Sequence, residues 1–174
     1  MWNLSESDLL LTTAELSVAF AGFASLASIL GRRFSRDDPR LNAGRLLNML
    51  TLSLSVTALA LLPHLPMLLE WSSRWVWGSA GAIGVATFAL LGPSILRRTR
   101  QMRQYPGFNP SANIVNHALA AAAFAGFICC VIGIPTAKLF ATYFGSLVAQ
   151  LISCAILFFN VIASLLEPHA PSAE

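Results

Sequence analysis

Glu15 is an acid set about four residues inside an apolar run that begins at Leu9. A carboxylate in such surroundings is costly to keep charged, which makes it a candidate for proton exchange or ion binding. By the helical period Asp8, Thr12, Glu15, Ala19 and Gly22 share one side, a narrow polar and small-residue face expected to turn toward protein or water instead of lipid. The plainer alternative is that Glu15 reaches the nearby surface, roughly 6 to 9 Å of helix away, or pairs with a neighbouring helix.

Two further rows of polar residues follow the same logic. Ser146, Gln150, Ser153, Asn160 and Ser164 recur at steps of three, four and seven residues, with Leu157 filling the gap. Arg45, Asn48, Thr51 and Ser55 form the second row. Hydrogen bonds between helices, worth about 0.6 to 2 kcal/mol each, are the common reason for Ser and Thr in membrane helices. Gln150 and Asn160 are harder to explain that way, because each amide carries donors and acceptors to be satisfied in a medium without water.

Sorted by depth, Glu15, His64, Lys138 and Tyr143 are expected to approach one another at one end, and Arg45, Asn48, His117 and Asn160 at the other. Joined by Thr51, Ser55, Gln150 and Ser153, the two groups would be the mouths of a hydrophilic path for a small ion or proton. If no such path forms, His64 and His117 are ordinary interfacial histidines.

The elements that must position these residues are set by composition. The chain has 174 residues, 56% hydrophobic and only 11% charged, and that charge is too sparse to cover a soluble domain. Windows of roughly 20 residues give five candidate membrane spans, at 9–31, 42–62, 75–96, 113–134 and 139–166. The second reaches across only if the turn from Asn42 to Arg45 is helical too. The expected fold class is therefore all-α: one polytopic transmembrane helix bundle occupying residues 1–174, with no separate soluble domain and no internal repeat.

Orientation follows from arginine. Arg32, Arg33, Arg36, Arg40 and Arg45 flank the first connection, and Arg97, Arg98, Arg100 and Arg103 follow the third span, so both segments are expected in the cytoplasm. Five crossings then put the N-terminus outside and the C-terminus inside. The residues before the first run are acidic, unlike a signal peptide, so this span is expected to be retained. The net charge of +3 comes mainly from these arginines and carries no case for nucleic acid.

Breaks in the pattern are equally specific. Pro63 and Pro66 bracket His64, where a helix end or short interfacial turn is expected. Trp71, Trp75 and Trp77 suit a headgroup belt, Gly92 and Pro93 a kink, and Gln104 to Ser111 a turn-rich connector. Gly78, Ala82 and Ala86, and likewise Ala118, Ala122 and Gly126, recur every four residues, a spacing that allows close helix pairing within one chain or between copies.

Catalytic and cofactor chemistry finds little footing. The Gly78 to Gly81 segment lacks nucleophile-elbow spacing, with no His and Asp placed to activate Ser79. His64 and His117 are assigned to opposite ends, which disfavours haem. Asp37 and Asp38 lie among arginines and are read as charge-balanced, not metal-binding. Cys129, Cys130 and Cys154 fall inside spans and read as packing residues. No enzyme, cofactor or metal is expected. The leading expectation is a small bacterial inner-membrane protein, a homo-oligomeric channel or transporter for a small ion or proton. The alternative is a noncatalytic accessory or assembly subunit docked onto membrane-protein partners.

Overall fold

The computed structural model describes residues 4–34, 39–105 and 107–166. Asp37, Asp38, Arg36 and the tail from Pro168 lie outside them, so the charge balance expected around the two aspartates is not addressed. The described residues fold as helices α1 (Leu4–Phe34), α2 (Pro39–Leu61), α3 (His64–Leu68), α4 (Ser73–Met102), α5 (Pro110–Ile132) and α6 (Leu139–Leu166), with a 3-10 turn at Thr136–Lys138 and no strand among them. Five helical segments are long and apolar enough to cross a membrane: Ser5–Ile29, Arg40–Leu68, Ser73–Met102, Pro110–Ile132 and Thr136–Ala163. That length and composition are compatible with a multi-pass membrane protein.

The helices exceed the apolar windows because polar residues continue them. α2 begins at Pro39, so Asn42 to Arg45 are helical, as a full-length second span requires. α4 passes through Pro93 without interruption and carries Arg97, Arg98 and Arg100 in its last two turns. Asn109 caps α5, its side chain accepting from the Ala112 amide at 3.1 Å, with Pro110 at the first helical position where no amide hydrogen is needed. The two prolines around His64 end α2 and start the short α3, as their missing amide hydrogens dictate.

α1 packs along α2, α5 pairs with both α4 and α6, and α6 lies between α2 and α5. The end of the molecule holding the starts of α2 and α5 and the end of α4 is rich in arginine, and is called here the arginine-rich end. At the opposite end Leu10, Leu59, Val76, Trp77, Phe127, Tyr143 and Leu147 form a closed core, each 1% exposed or less. Trp77 belongs to this core, against the expectation that it joins a headgroup belt; Trp71 and Trp75 are exposed, consistent with one.

Close packing of α4 on α5 depends on glycines outside the expected small-residue row. A Cβ at Gly81 would meet Cys130 Cβ at 2.8 Å and the Phe127 carbonyl at 2.9 Å, and one at Gly84 would meet the Phe127 ring. Ala82, Ala86, Ala118 and Ala122 are exposed instead. Of the expected rows, Gly78 approaches the Cys130 carbonyl of α5 and Gly126 packs on Thr142 and Ser146 of α6, so the glycines of the rows meet neighbours while the alanines do not, and the tightest α4–α5 contacts come from Gly81 and Gly84 beside the row.

Candidate functional site

Toward the arginine-rich end the four helices α2, α4, α5 and α6 separate around a cavity of about 350 Å³, within the usual ligand-pocket range of roughly 300 to 1,000 Å³. Its walls are mainly apolar, from Leu52, Phe88, Leu91, Ile95, Leu96 and Leu157, with polar groups set among them. α5 contributes no buried residue before Ala123, so its first half lies loosely over this space.

Seven of the residues singled out by type and spacing line this one cavity: Arg45, Asn48, Ser55, His117, Gln150, Ser153 and Asn160. The helical periods explain the convergence, since the α2 row and the α6 row each turn one face to the same interior. Arg45 is 7% exposed and donates to the Gly107 carbonyl at 2.6 Å and to Asn42 Oδ1 at 3.3 Å, which ties the α4–α5 connection to α2. Asn48 reaches across to α4, its amide nitrogen 3.5 Å from Thr99 Oγ1. Asn160 Nδ2 donates back to the Ile156 carbonyl at 2.8 Å, and His117 Nδ1 to the Asn113 carbonyl at 2.7 Å.

Among the described residues three buried side-chain polar atoms have no hydrogen-bond partner: Asn48 Oδ1, Asn116 Oδ1 and Gln150 Nε2. All three residues line the cavity. Asn48 and Gln150 are each 3% exposed. An unpartnered buried amide atom costs about 1 to 3 kcal/mol. Three among the walls of one cavity are polar groups that the protein itself leaves unsatisfied.

Their order along the cavity can be read from neighbouring contacts. Ser53 of α2 meets Cys154 of α6, Oγ to Sγ at 3.6 Å. Asn48 lies five residues from Ser53 toward the arginine-rich end, and Gln150 four residues from Cys154 toward the other, so the two amides are about 13 Å apart along the axis. On α5, Phe124 faces Phe88 and Phe127 faces Gly84. Continuing that pairing puts Asn116 level with Ile95, roughly 6 Å deeper than Thr99 and its partner Asn48.

Beyond Gln150 the α6 row continues only as Ser146, which is buried and donates to the Thr142 carbonyl of its own helix at 3.0 Å, and the interior around it is largely aromatic and aliphatic. Phe88, Phe124, Phe127, Tyr143 and Trp77 form a chain of ring contacts with centroids 5.4 to 6.0 Å apart. Leu147 and Val56 are fully buried between this layer and the cavity. The polar rows therefore do not continue to the far end within the described chain.

The residues expected at that far mouth are not brought together. Tyr143 is fully buried and its hydroxyl donates to the Leu59 carbonyl at 2.7 Å. Leu59 stands four residues before Pro63, whose nitrogen has no hydrogen to give, so the tyrosine satisfies the acceptor that proline leaves open. Ser7 Oγ lies 3.1 Å from His64 Nε2; since His64 Nδ1 donates to the Leu61 carbonyl at 3.1 Å, Ser7 is the donor. Lys138 is exposed. Glu15 is exposed as well, together with Asp8, Thr12, Ala19 and Gly22, on the side of α1 turned away from the bundle. The face that packs on α2 is Leu10, Ala14 and Ser17, the last 2.6 Å from Thr57 Oγ1. Thr51 is outside the cavity and accepts from Arg98 Nη1 at 3.4 Å.

Asn116, Asn113, Asn109, Thr87 and Thr99 join the lining without having been singled out by sequence. Asn113, Asn116 and Ala120 share a face of α5 by their spacing of three and four, which is the signal that could have found Asn116. The chain matches no protein-family model, no curated protein and no solved structure.

Proposed function

We propose that this chain is a small multi-pass membrane transporter of the carrier kind, taking its solute into the cavity between α2, α4, α5 and α6. The observation that carries the reading is the set of three buried amide atoms without protein partners, all belonging to the walls of one cavity. A purely structural bundle gains nothing from them, whereas a solute with hydrogen-bonding groups turns their cost into recognition. The arginine-rich end faces the cytoplasm by the distribution of Arg97, Arg98, Arg100 and Arg103, in a bacterial inner membrane with the N-terminus outside and the C-terminus inside.

An ion or proton path along Glu15 and Gln150 has less support than passage of an uncharged solute. Glu15 is exposed on α1, away from the cavity, and none of the described residues lining the cavity is an acid. The aromatic layer argues for a carrier with alternating access over a channel open at both ends.

The second reading, a noncatalytic accessory or assembly subunit, is favoured by one observation: Asp8, Thr12, Glu15, Ala19 and Gly22 present a polar and small face outward from a helix apolar enough to cross a membrane. Such a face suits a partner helix better than acyl chains.

Site-directed labelling separates the two without knowing the solute. With Cys129, Cys130 and Cys154 replaced by alanine, Ser153→Cys and Ser55→Cys are exposed to a membrane-impermeant maleimide applied from each side of proteoliposomes. A carrier gives fast labelling from the arginine-rich side and slower labelling from the other. Labelling from one side only overturns transport and leaves a one-sided binding or docking protein.

A further inference from the structure

We infer that the outer face of α4 at the arginine-rich end binds an anionic phospholipid, with the phosphate held by Arg97 and Arg100. The site lies outside the cavity and does not depend on what the cavity takes. Pro93, Leu96, Arg97, Arg100, Gln101 and Gln104 border one shallow groove there. Their spacing sets them along one side of the helix, the two arginines three residues apart and a glutamine four beyond each. Toward the membrane the same side continues through Leu90, 78% exposed, and Ile83, 42% exposed.

Charge distinguishes these two arginines from their neighbours. Arg98, between them, turns inward to Thr51, and Arg45 is tied to Gly107 and Asn42. Arg97 and Arg100 are exposed and form no ion pair with any described residue. The acids among the described residues are Glu6, Asp8, Glu15 and Glu70, in the first half of α1 and the link between α3 and α4, toward the opposite end. Guanidinium groups without a carboxylate are matched by an oxyanion that each can fork onto, and phosphate is such an acceptor.

Depth makes that phosphate a lipid's. Trp75, 70% exposed, suits the headgroup region at the start of α4. At about 1.5 Å per residue Arg97 stands about 33 Å from it along the helix and Arg100 about 38 Å, just past a hydrocarbon core of about 30 Å. Both arginines therefore reach the other headgroup layer, while Leu90 and Pro93 remain among acyl chains. A soluble anion meets only the polar half of this face, whereas a phospholipid meets all of it. A choline headgroup would bring its own cation beside two arginines with no described carboxylate to receive it, so lipids of net negative charge are favoured.

Native mass spectrometry of the full chain in neutral detergent, titrated with equal amounts of phosphatidylglycerol and phosphatidylcholine of identical chains, reads which lipid binds first. Each arginine is expected to favour the anionic lipid about fivefold, and the pair about twenty-five-fold. Arg97→Gln and Arg100→Gln should each lower the preference about fivefold. Arg103→Gln, which removes the same charge outside the groove, should lower it less than about twofold. Glycerophosphoglycerol, the same headgroup without chains, should not displace the bound lipid when added in excess. Equal binding of the two lipids by wild type shows no selectivity and overturns the assignment. It is overturned equally if Arg103→Gln loses as much as Arg97→Gln, which means a diffuse field and no site, or if the free headgroup displaces the lipid, which means a soluble anion is the occupant. Lipid binding is read without transport, so none of these results decides the carrier reading.

Discussion

The same helices behave differently at their two ends. Where α4, α5 and α6 meet around Trp77, Phe127 and Tyr143, glycine lets backbones touch and rings fill the gaps, and the Tyr143 hydroxyl is placed on the acceptor that Pro63 leaves open. About 10 Å along α6 from Tyr143, two turns by residue count, Gln150 stands on the same face with its amide nitrogen unpartnered. One end has paired its polar groups within the protein and is closed, and the other leaves three buried amide atoms unpartnered in residues that line an open volume. Adhesion between helices in lipid comes from packing and hydrogen bonds more than from apolar burial. The closed end therefore supplies the rigidity against which the cavity end can remain open.

That division can be broken from either side. The largest effect is expected for Phe127→Ala, which removes the ring packed against Gly84, Phe88 and Tyr143. A loss of about 3 kcal/mol is expected, since the cavity left behind cannot be filled by lipid. Reversible unfolding in mixed micelles measures it; a loss below 1 kcal/mol would show that this end is not the rigid one. Next, Tyr143→Phe strands the Leu59 carbonyl in the core and is expected to cost about 2 kcal/mol. The smallest change should have the opposite sign. Gln150→Leu takes an unsatisfied buried amide away from an apolar wall, and stability is expected to rise by about 1 kcal/mol while labelling of Ser153→Cys from the far side falls. Destabilisation by Gln150→Leu would mean that the amide is structural, and the contrast between the two ends would lose its basis.

Legibility from sequence divided along a related line. Asn48 on α2, and Gln150, Ser153 and Asn160 on α6, could be assigned to faces in advance because each is set on its helix by a fixed period, and polar side chains in an apolar run favour protein over acyl chains. Glu15 obeyed the same period on α1, yet its row is exposed, because Leu10, Ala14 and Ser17 on the adjacent face make the better fit to α2. Periodicity assigns residues to a face and leaves open which face meets a neighbour. The α4–α5 seam shows the same limit: Gly78, Ala82 and Ala86 satisfy the spacing, yet of these Gly78 alone approaches the α5 backbone, and the tightest contacts are made by Gly81 and Gly84 beside the row. Trp77 was read by residue type as interfacial, and its position two residues beyond the exposed Trp75 turns it inward.

Taken alone, the order of residues determined that there are five long apolar helices, where prolines interrupt them, and which side chains share a helical face, because all three depend on composition and on a local period of 3.6 residues. Tertiary structure decided which faces are covered, that the polar rows of α2 and α6 converge with Asn116 of α5 on one cavity, and that an aromatic layer closes the far end. Those outcomes depend on how helices distant in sequence fit against one another, and shape complementarity between distant segments is a property that no single segment carries.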